Sequence, residues 1–349
     1  MRILMTTSRN PNLLASAYVR YLSRMPGISV EGIFHPDEFE DYYNRSILNK
    51  LLYRVHPPFS LDRINAGIQK KIETFRPGIL WIFKGMEIYP DTLKYAKKKG
   101  VKLVNYNPDH PFEFEFRGSG NWYIRESLQL YDLHFSYSRA IIRQLKQQFG
   151  QEGTWLPFGY DLNEQAYQDL KQTGEENKIC FVGYADRNRA SVISQLVKAG
   201  LPVDVYGPGW NDFLANEGKL NLCGPVQGMQ FWTTLRRYRI QLNIFRKQNK
   251  GSHNMRSFEI PAAGGLMLAP YSSEQADFFE EGKEVFFYKN PEEMIEKAKW
   301  MLSISPNQSK EFRANARNRC TTSGYSYCHR AEFVAEMFKK KFPDLAKPV

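Results

Sequence analysis

Arg256 and Glu259 stand three residues apart in the stretch NMRSFEIPAAGGLMLAP, residues 254–270. Between Glu217 and Glu259 the chain carries no carboxylate, while Lys219, Arg236, Arg237, Arg239, Arg246, Lys247, Lys250 and Arg256 are cationic. On a helix, residues three apart share a face, so this pair presents one guanidinium beside one carboxylate. The guanidinium can fork onto the phosphate oxygens of an anionic ligand. The competing reading is an ordinary solvated ion pair or a helix-capping pair.

The elements that must position this pair can be read from its neighbours. Gly264–Gly265 ends the helix with a residue at positive φ, Leu266–Ala269 is a short buried strand, and Pro270 stops it. Helix, glycine stop and buried strand form the αβ step of an α/β sheet. Pro261 is tolerated mainly in a first turn, which predicts a late start or a kink.

Other strand ends carry polar residues or glycine: FVGYADRNR, VYGPG, CGPV and NIFRKQNKGSHNMRSFE. In open α/β sheets ligands bind beyond the carboxyl ends of strands. The candidate anion- and sugar-binding residues are therefore Gly183, Arg187 and Arg189, then Tyr206 and Gly207, then Gly224 and Val226. Arg246, His253, Asn254, Arg256, Ser257 and Glu259 complete the set. Glycine at a strand end lets backbone approach a ligand, and Tyr206 could stack on a base or sugar. Ser252 or Asn254 is placed to cap the following helix, whose free N–H groups would face the same anion. A diphosphate fits this description. Phe245 and Phe258 read as core.

The first half shows the same architecture with different polar residues. Strands RILM, ISVEGIF, GILWIF, KLVNY and LHFSYS alternate with helical stretches, interrupted by a loop with Pro57–Pro58. The second half restarts with KICFVG and ends in helices, one of them signed by Asn290 as N-cap with Pro291 behind it. The reading is α/β: two Rossmann-like doubly wound domains facing a cleft. Residues 1–160 form the first, 161–177 a polar linker and 178–325 the second, with 326–349 a helix that packs back toward the first. NPDHPFEFEF, following KLVNY, gathers Asp109, His110, Glu113 and Glu115. Asp109 or His110 is the candidate general base or acceptor-orienting group, against a plain loop with exposed acids. Lys84 and Glu87, after GILWIF, could line the same side.

Composition bounds the function. The 349 residues, 42% hydrophobic and 24% charged, suit a two-domain globular protein. Net charge of +11 implies anionic company. The four cysteines show no CxxC spacing and the six histidines no ligand spacing, so neither metal site nor disulfide framework is expected. The polar start MRILMTTSRN and the lack of a long apolar run lead to the expectation of a cytoplasmic protein. There is no GxGxxG after a strand, no Walker loop, no HExxH and no GxSxG, which weakens dehydrogenase, nucleotide-triphosphatase, metalloprotease and hydrolase readings. The cations are interrupted by buried-looking strands, which disfavours nucleic acid. Lysine triplets at 97–99 and 339–341 leave peripheral membrane contact open.

The stretch from Met255 to Leu302, with RSFE, the small-residue helix, the glycine, the strand and the step FEEGKE, resembles the C-terminal region of spore-maturation CgeB-type glycosyltransferases. That family is similar to the family 4 glycosyltransferases of GT-B fold. LPFGYD and LNLCGPVQGMQFWTTL extend the likeness over residues 154 to 302. The resemblance implies a metal-independent transferase moving a sugar from a UDP-, GDP- or dTDP-sugar to a hydroxyl acceptor, with no other cofactor. It puts Glu259 on the donor ribose and the loop Gly224–Val226 on the nucleobase. The first glutamate of the family's motif pair falls at Gly251 and is absent, and MTTSRNPN stands where an N-terminal glycine-rich loop is common. A catalytically inactive nucleotide- or carbohydrate-binding relative in surface or spore-layer assembly is the alternative, and a basic nucleic-acid-binding protein a further one.

Overall fold

A computed structural model describes residues 1–34, 46, 59–114, 120–249 and 251–346. Pro57–Pro58, Glu115 and Lys250 lie outside the described residues.

Two sheets of six strands each organise the chain. The first contains β1 (Arg2–Thr6), β2 (Ser29–Ile33), β3 (Ile79–Phe83), β4 (Lys102–Tyr106), β5 (Leu133–Ser136) and β6 (Gly153–Trp155) in the order β2-β1-β3-β4-β5-β6. Its helices are α1 (Leu14–Leu22), α2 (Phe59–Phe75), α3 (Pro90–Lys98), α4 (Trp122–Ser127) and α5 (Arg139–Phe149). After α6 (Glu164–Leu170), the second sheet holds β7 (Glu176–Val182), β8 (Val203–Tyr206), β9 (Leu220–Leu222), β10 (Tyr238–Leu242), β11 (Met267–Pro270) and β12 (Phe286–Tyr288). Their order is β12-β11-β10-β7-β8-β9. Helices α7 (Arg187–Lys198), α8 (Gly228–Arg237), α9 (Arg256–Ala262), α10 (Ser273–Phe278), α11 (Pro291–Ser303), α12 (Pro306–Thr322) and α13 (Tyr327–Lys341) complete the α-helices of the described residues.

Every pairing between these strands is parallel. Parallel strands joined through helices are covered on both faces and read as unbroken apolar runs. Ile79, Leu80, Trp81 and Ile82 accordingly have no exposed surface. The doubly wound α/β expectation holds for both sheets, and the second has the strand order of the dinucleotide-binding fold.

The chain divides into two compact units, 1–157 with 327–349, and 158–326. Within the first, α13 sets Phe338 edge-on against Trp81 at 5.5 Å between ring centroids. The stretch 161–177 carries α6, which Asn163 caps by accepting the Ala166 N–H at 2.8 Å, and it belongs to the second unit. Asn290 caps α11 as read from the sequence, taking the Glu293 N–H at 2.8 Å. Helix α12 was not among the sequence-derived elements. Ser305 and Gln308 open it with a reciprocal capping box and Pro306 follows, but its buried face carries Arg313 and Arg317 in place of an apolar stripe.

The strand orders fix where a ligand can sit. In the second sheet β8 and β9 extend to one side of β7, and the chain then returns to lay β10 on the other. The order reverses between β7 and β10. In the first sheet the reversal lies between β1 and β3. Crevices beyond the carboxyl ends of strands at such reversals are the usual ligand sites of open α/β sheets.

Candidate functional site

Helix α9 begins at Arg256 and has Pro261 as its penultimate residue, so the proline does not delay the start. Gly264 follows at φ 69°, and a Cβ there would collide with the Arg236 guanidinium. The left-handed turn and the crowding both demand glycine. The turn places β11 next to β10 and leaves the start of α9 beyond the carboxyl end of β7, where Arg256 reaches the strand.

Arg256 and Glu259 are not a solvated pair. Glu259 is 7% exposed, and Arg256 Nη1 donates to its Oε2. Arg256 Nε donates to the carbonyl of Val182, the last residue of β7, at 3.2 Å. Its guanidinium lies 4.4 Å from the centroid of the Phe231 ring on α8, a cation–π contact. One side chain thus ties α9 to β7 and α8, and Glu259 is oriented through it. Among the described residues, no hydrogen bond is found to Glu259 Oε1.

Arg189 lies across the same reversal. It is 9% exposed, donating through Nη1 to the Tyr184 carbonyl at 3.0 Å and through Nη2 to the Ile244 carbonyl at 3.2 Å. These bonds join the segment after β7 to the segment after β10. Burial, and then the positive charges of Arg246 and Arg256, pull the Arg189 pKa down to about 10, against the opposing Asp186 carboxylate. Three guanidiniums therefore converge at the β7/β10 reversal, with Asp186 and Glu259 as their acidic neighbours.

Several other candidates have different roles in the structure. The helix N-terminus was expected to offer free N–H groups. Instead Asn254 Oδ1 accepts the Ser257 N–H at 3.1 Å, and the Met255 carbonyl accepts those of Phe258 and Glu259 at 3.0 Å. Asn254 does cap the turn, and an exchange of amide bonds with Asn243 fixes it. His253 is fully buried. Its Nε2 accepts the Phe158 N–H at 3.2 Å, so Nδ1 carries the proton facing Glu274 Oε2 at 3.0 Å. Both ring nitrogens are used in the interior, which corrects its placement as a ligand contact. Ser257 is corrected on the same ground: it is wholly buried and donates to Gln275 Oε1 at 2.7 Å.

The Tyr206 hydroxyl shares a 2.8 Å hydrogen bond with Tyr238, which donates to Asp204 at 2.9 Å, and its ring is half-buried. Gly183, Gly207 and Gly224 zip the strand ends to one another. The Gly183 N–H reaches the Tyr206 carbonyl and the Gly207 N–H the Gly224 carbonyl, each at 2.8 Å. A Cβ on Gly207, at φ 140°, would run into the Gly183 carbonyl oxygen. The glycines serve backbone-to-backbone packing at the carboxyl edge of the sheet. Arg187 is exposed on the first turn of α7, and Val226 is half-buried before α8.

In the first unit, Asp109 Oδ2 accepts from Lys84 Nζ at 2.6 Å. Lys84 holds φ 61°, a left-handed conformation that a residue with a Cβ rarely takes. His110 Nδ1 accepts the Phe112 N–H at 3.4 Å. Lys84, only a minor candidate in the sequence, is thus the direct partner of Asp109. Among the described residues no group of His, Cys, Asp or Glu could hold a metal ion, and no helix is long and apolar enough to cross a membrane. None of the four cysteines is in a disulfide.

Sequence reasoning missed the residues that anchor α9 from behind. Arg317 Nη1 donates to the Ala262 carbonyl at 2.9 Å, and Arg236 Nη1 to that of Ala263 at 3.3 Å. Arg313 Nη2 holds the Tyr238 carbonyl at 2.5 Å while its Nη1 reaches that of Arg236. Cations on the last carbonyls of a helix also oppose its dipole favourably. The four-residue spacing of Arg313 and Arg317 on one helix was the available signal.

Residues 187–336 match a family model described as glycosyl transferase-like. No curated protein matches the chain. Among solved structures, sucrose-phosphate synthase from Thermosynechococcus elongatus is similar at TM-score 0.66 and 9% identity, covering 99% of this chain and 100% of that one. The Anabaena protein HepE in complex with UDP-glucose gives TM-score 0.63 and 11% identity, covering 97% and 100%. UDP-GlcNAc 2-epimerase from Neisseria meningitidis, bound to UDP-GlcNAc, gives 0.56 and 14%, covering 97% and 100%. At these identities the likeness concerns the fold, which is GT-B with two Rossmann-like units.

Proposed function

We propose that this chain is a glycosyltransferase that moves a sugar from a nucleotide-diphosphate donor, UDP-linked in the first instance, to a hydroxyl acceptor without a metal ion. The observation that carries the reading is the convergence of Arg189, Arg246 and Arg256 on the β7/β10 reversal beside the buried carboxylate of Glu259. Guanidiniums crowded together repel one another, and a dianionic diphosphate relieves that repulsion. The glycosyl transferase-like family match and the UDP-sugar complexes of similar folds support the same ligand. CgeB-type membership is the finer form of the proposal.

In mechanism, Arg256 and its neighbours neutralise the charge that develops on the departing nucleotide diphosphate, the task a divalent cation performs elsewhere. Glu259 Oε1 takes the ribose hydroxyls while Oε2 stays on Arg256. Phe231 fixes the guanidinium plane, so little reorganisation accompanies bond cleavage. In the first unit, Asp109 or His110 orients the acceptor hydroxyl and takes its proton.

Calorimetric titration with UDP, GDP and dTDP, followed by transfer assays with and without EDTA, tests the proposal. Nucleotide binding with EDTA-insensitive transfer is expected. Interconversion of a UDP-sugar with its epimer and no transfer would instead assign the chemistry of the epimerases that share the fold. Absence of nucleotide binding, with salt-sensitive RNA binding in its place, would overturn the reading.

A further inference from the structure

A second polar cluster lies at the carboxyl edge of the first sheet. β3 and β4 are in register to Phe83 and Tyr106, so the next residues, Lys84 and Asn107, leave adjacent strand ends about 5 Å apart. The Lys84 N–H closes the pair by donating to the Tyr106 carbonyl at 2.9 Å. Asp109, at the same turn, takes the Lys84 ammonium. Asn107 Oδ1 accepts the Asp109 N–H at 3.0 Å, which sets its Nδ2 beside that turn. Asn107 is 4% exposed, and among the described residues its buried Nδ2 has no hydrogen-bond partner. A buried amide donor left unbonded costs about 1–3 kcal/mol, so this atom calls for an acceptor that the described residues do not supply.

Local charge identifies the class of ligand. The ammonium of Lys84 is paired with the carboxylate of Asp109, so an anion entering here meets a carboxylate as well as a cation. What the cluster offers is an amide donor, an ammonium donor and a carboxylate acceptor at one turn. Adjacent hydroxyls, each of which both donates and accepts, satisfy such an alternation. A phosphate or carboxylate ligand would set its acceptor oxygens against Asp109.

We infer that Lys84, Asn107 and Asp109 form a subsite for a neutral polyhydroxyl group, the sugar hydroxyls of a glycan acceptor. The inference deepens the transferase reading and rests on it for the word acceptor, while the sugar binding itself is separately measurable. Asn107 and Lys84 are binding residues here, and Asp109 both binds and aligns.

Saturation-transfer NMR on the intact chain, with methyl glucoside, galactoside and mannoside as probes and glycerol 1-phosphate as the anionic comparison, tests the subsite. At least one neutral glycoside should receive saturation in preference to glycerol phosphate. Asn107→Asp keeps the bond to the Asp109 N–H but removes the donor, and Asp109→Asn removes the charge. Each should weaken the responding glycoside at least tenfold while calorimetric UDP affinity is retained, which also reports an intact fold. No response from any neutral glycoside, preference for glycerol phosphate, or glycoside affinity unchanged in both variants would each overturn the inference. Loss of UDP binding in the unaltered chain with glycoside binding preserved would instead remove the proposed transferase and leave the subsite standing.

Discussion

Glu259→Gln separates a ribose-binding carboxylate from one that merely balances a buried arginine. The substitution preserves shape but turns one carboxylate oxygen into an NH₂ donor and removes the charge. Oε2 is already committed to Arg256, so the nucleotide's diol is served by Oε1. A hydrogen bond to a charged group contributes about 1.5–3 kcal/mol. Taking about 2 kcal/mol, UDP should bind roughly 30-fold more weakly to the variant. The fold should suffer less. Arg256 is 27% exposed and retains its bond to the Val182 carbonyl, so loss of the ion pair should cost about 1 kcal/mol, nearer an exposed pair than a fully buried one. The assay is calorimetry of UDP and 2′,3′-dideoxy-UDP against both proteins. In the unaltered chain, removing the ribose hydroxyls should weaken binding by about the same 30-fold, whereas in Glu259→Gln the two ligands should differ by only a few-fold. That coupling, read as a double-mutant cycle between side chain and ligand, isolates the contact. If the hydroxyls are worth as much in the variant as in the parent, Glu259 does not touch them and the donor assignment fails.

Gly207→Ala should lower stability by about 2–4 kcal/mol in urea denaturation, because the new methyl meets the Gly183 carbonyl oxygen at a φ of 140°; a loss below about 0.5 kcal/mol would show the strand-end zipper to be pliable. His134, buried with Nε2 on the Leu128 carbonyl at 2.8 Å, has its pKa pulled by burial down to about 4. The unfolded chain takes up that proton near the ordinary value of about 6.5 and the folded chain does not. The contribution is therefore intact above pH 6.5, declines as pH falls from there to about 4, and is about 2 kcal/mol smaller at pH 5 than at pH 7. His134→Gln, whose amide can still donate to Leu128, should flatten that limb; parallel denaturation series at the two pH values decide.

Strands such as β3 were legible because they are apolar runs of parallel-sheet length, and most helices because their ends carry caps such as Asn290; the three-residue β6, Gly153–Trp155, offers no such run and was not read. α12 escaped because periodicity assumes an oily inner face, and this helix buries guanidiniums that satisfy the carbonyls of Ala262, Arg236 and Tyr238. The candidate site divides the same way. Its cations could be located from the acid-free run, since strand ends and charge are local properties. Their division of labour could not. Arg189 is defined by Ile244, His253 by Phe158 and Glu274, and Ser257 by Gln275, partners that only the folded sheet supplies.

That division bears on how the site acts on a diphosphate. A cation free to swing gives up side-chain entropy when it grips a ligand. Arg189 spans two carbonyls and Arg256 is held by a carbonyl, a carboxylate and a ring before any ligand arrives. The cost of bringing these positive charges together is met during folding, by Asp186 and Glu259 in front and by the α12 arginines that pin α9 from behind. On the proposed reading, a diphosphate relieves the mutual repulsion of these guanidiniums and a neutral sugar does not. The two units therefore differ in kind: one carries clustered guanidiniums beyond its sheet, the other a Lys84–Asp109 pair beside an amide donor with no partner among the described residues.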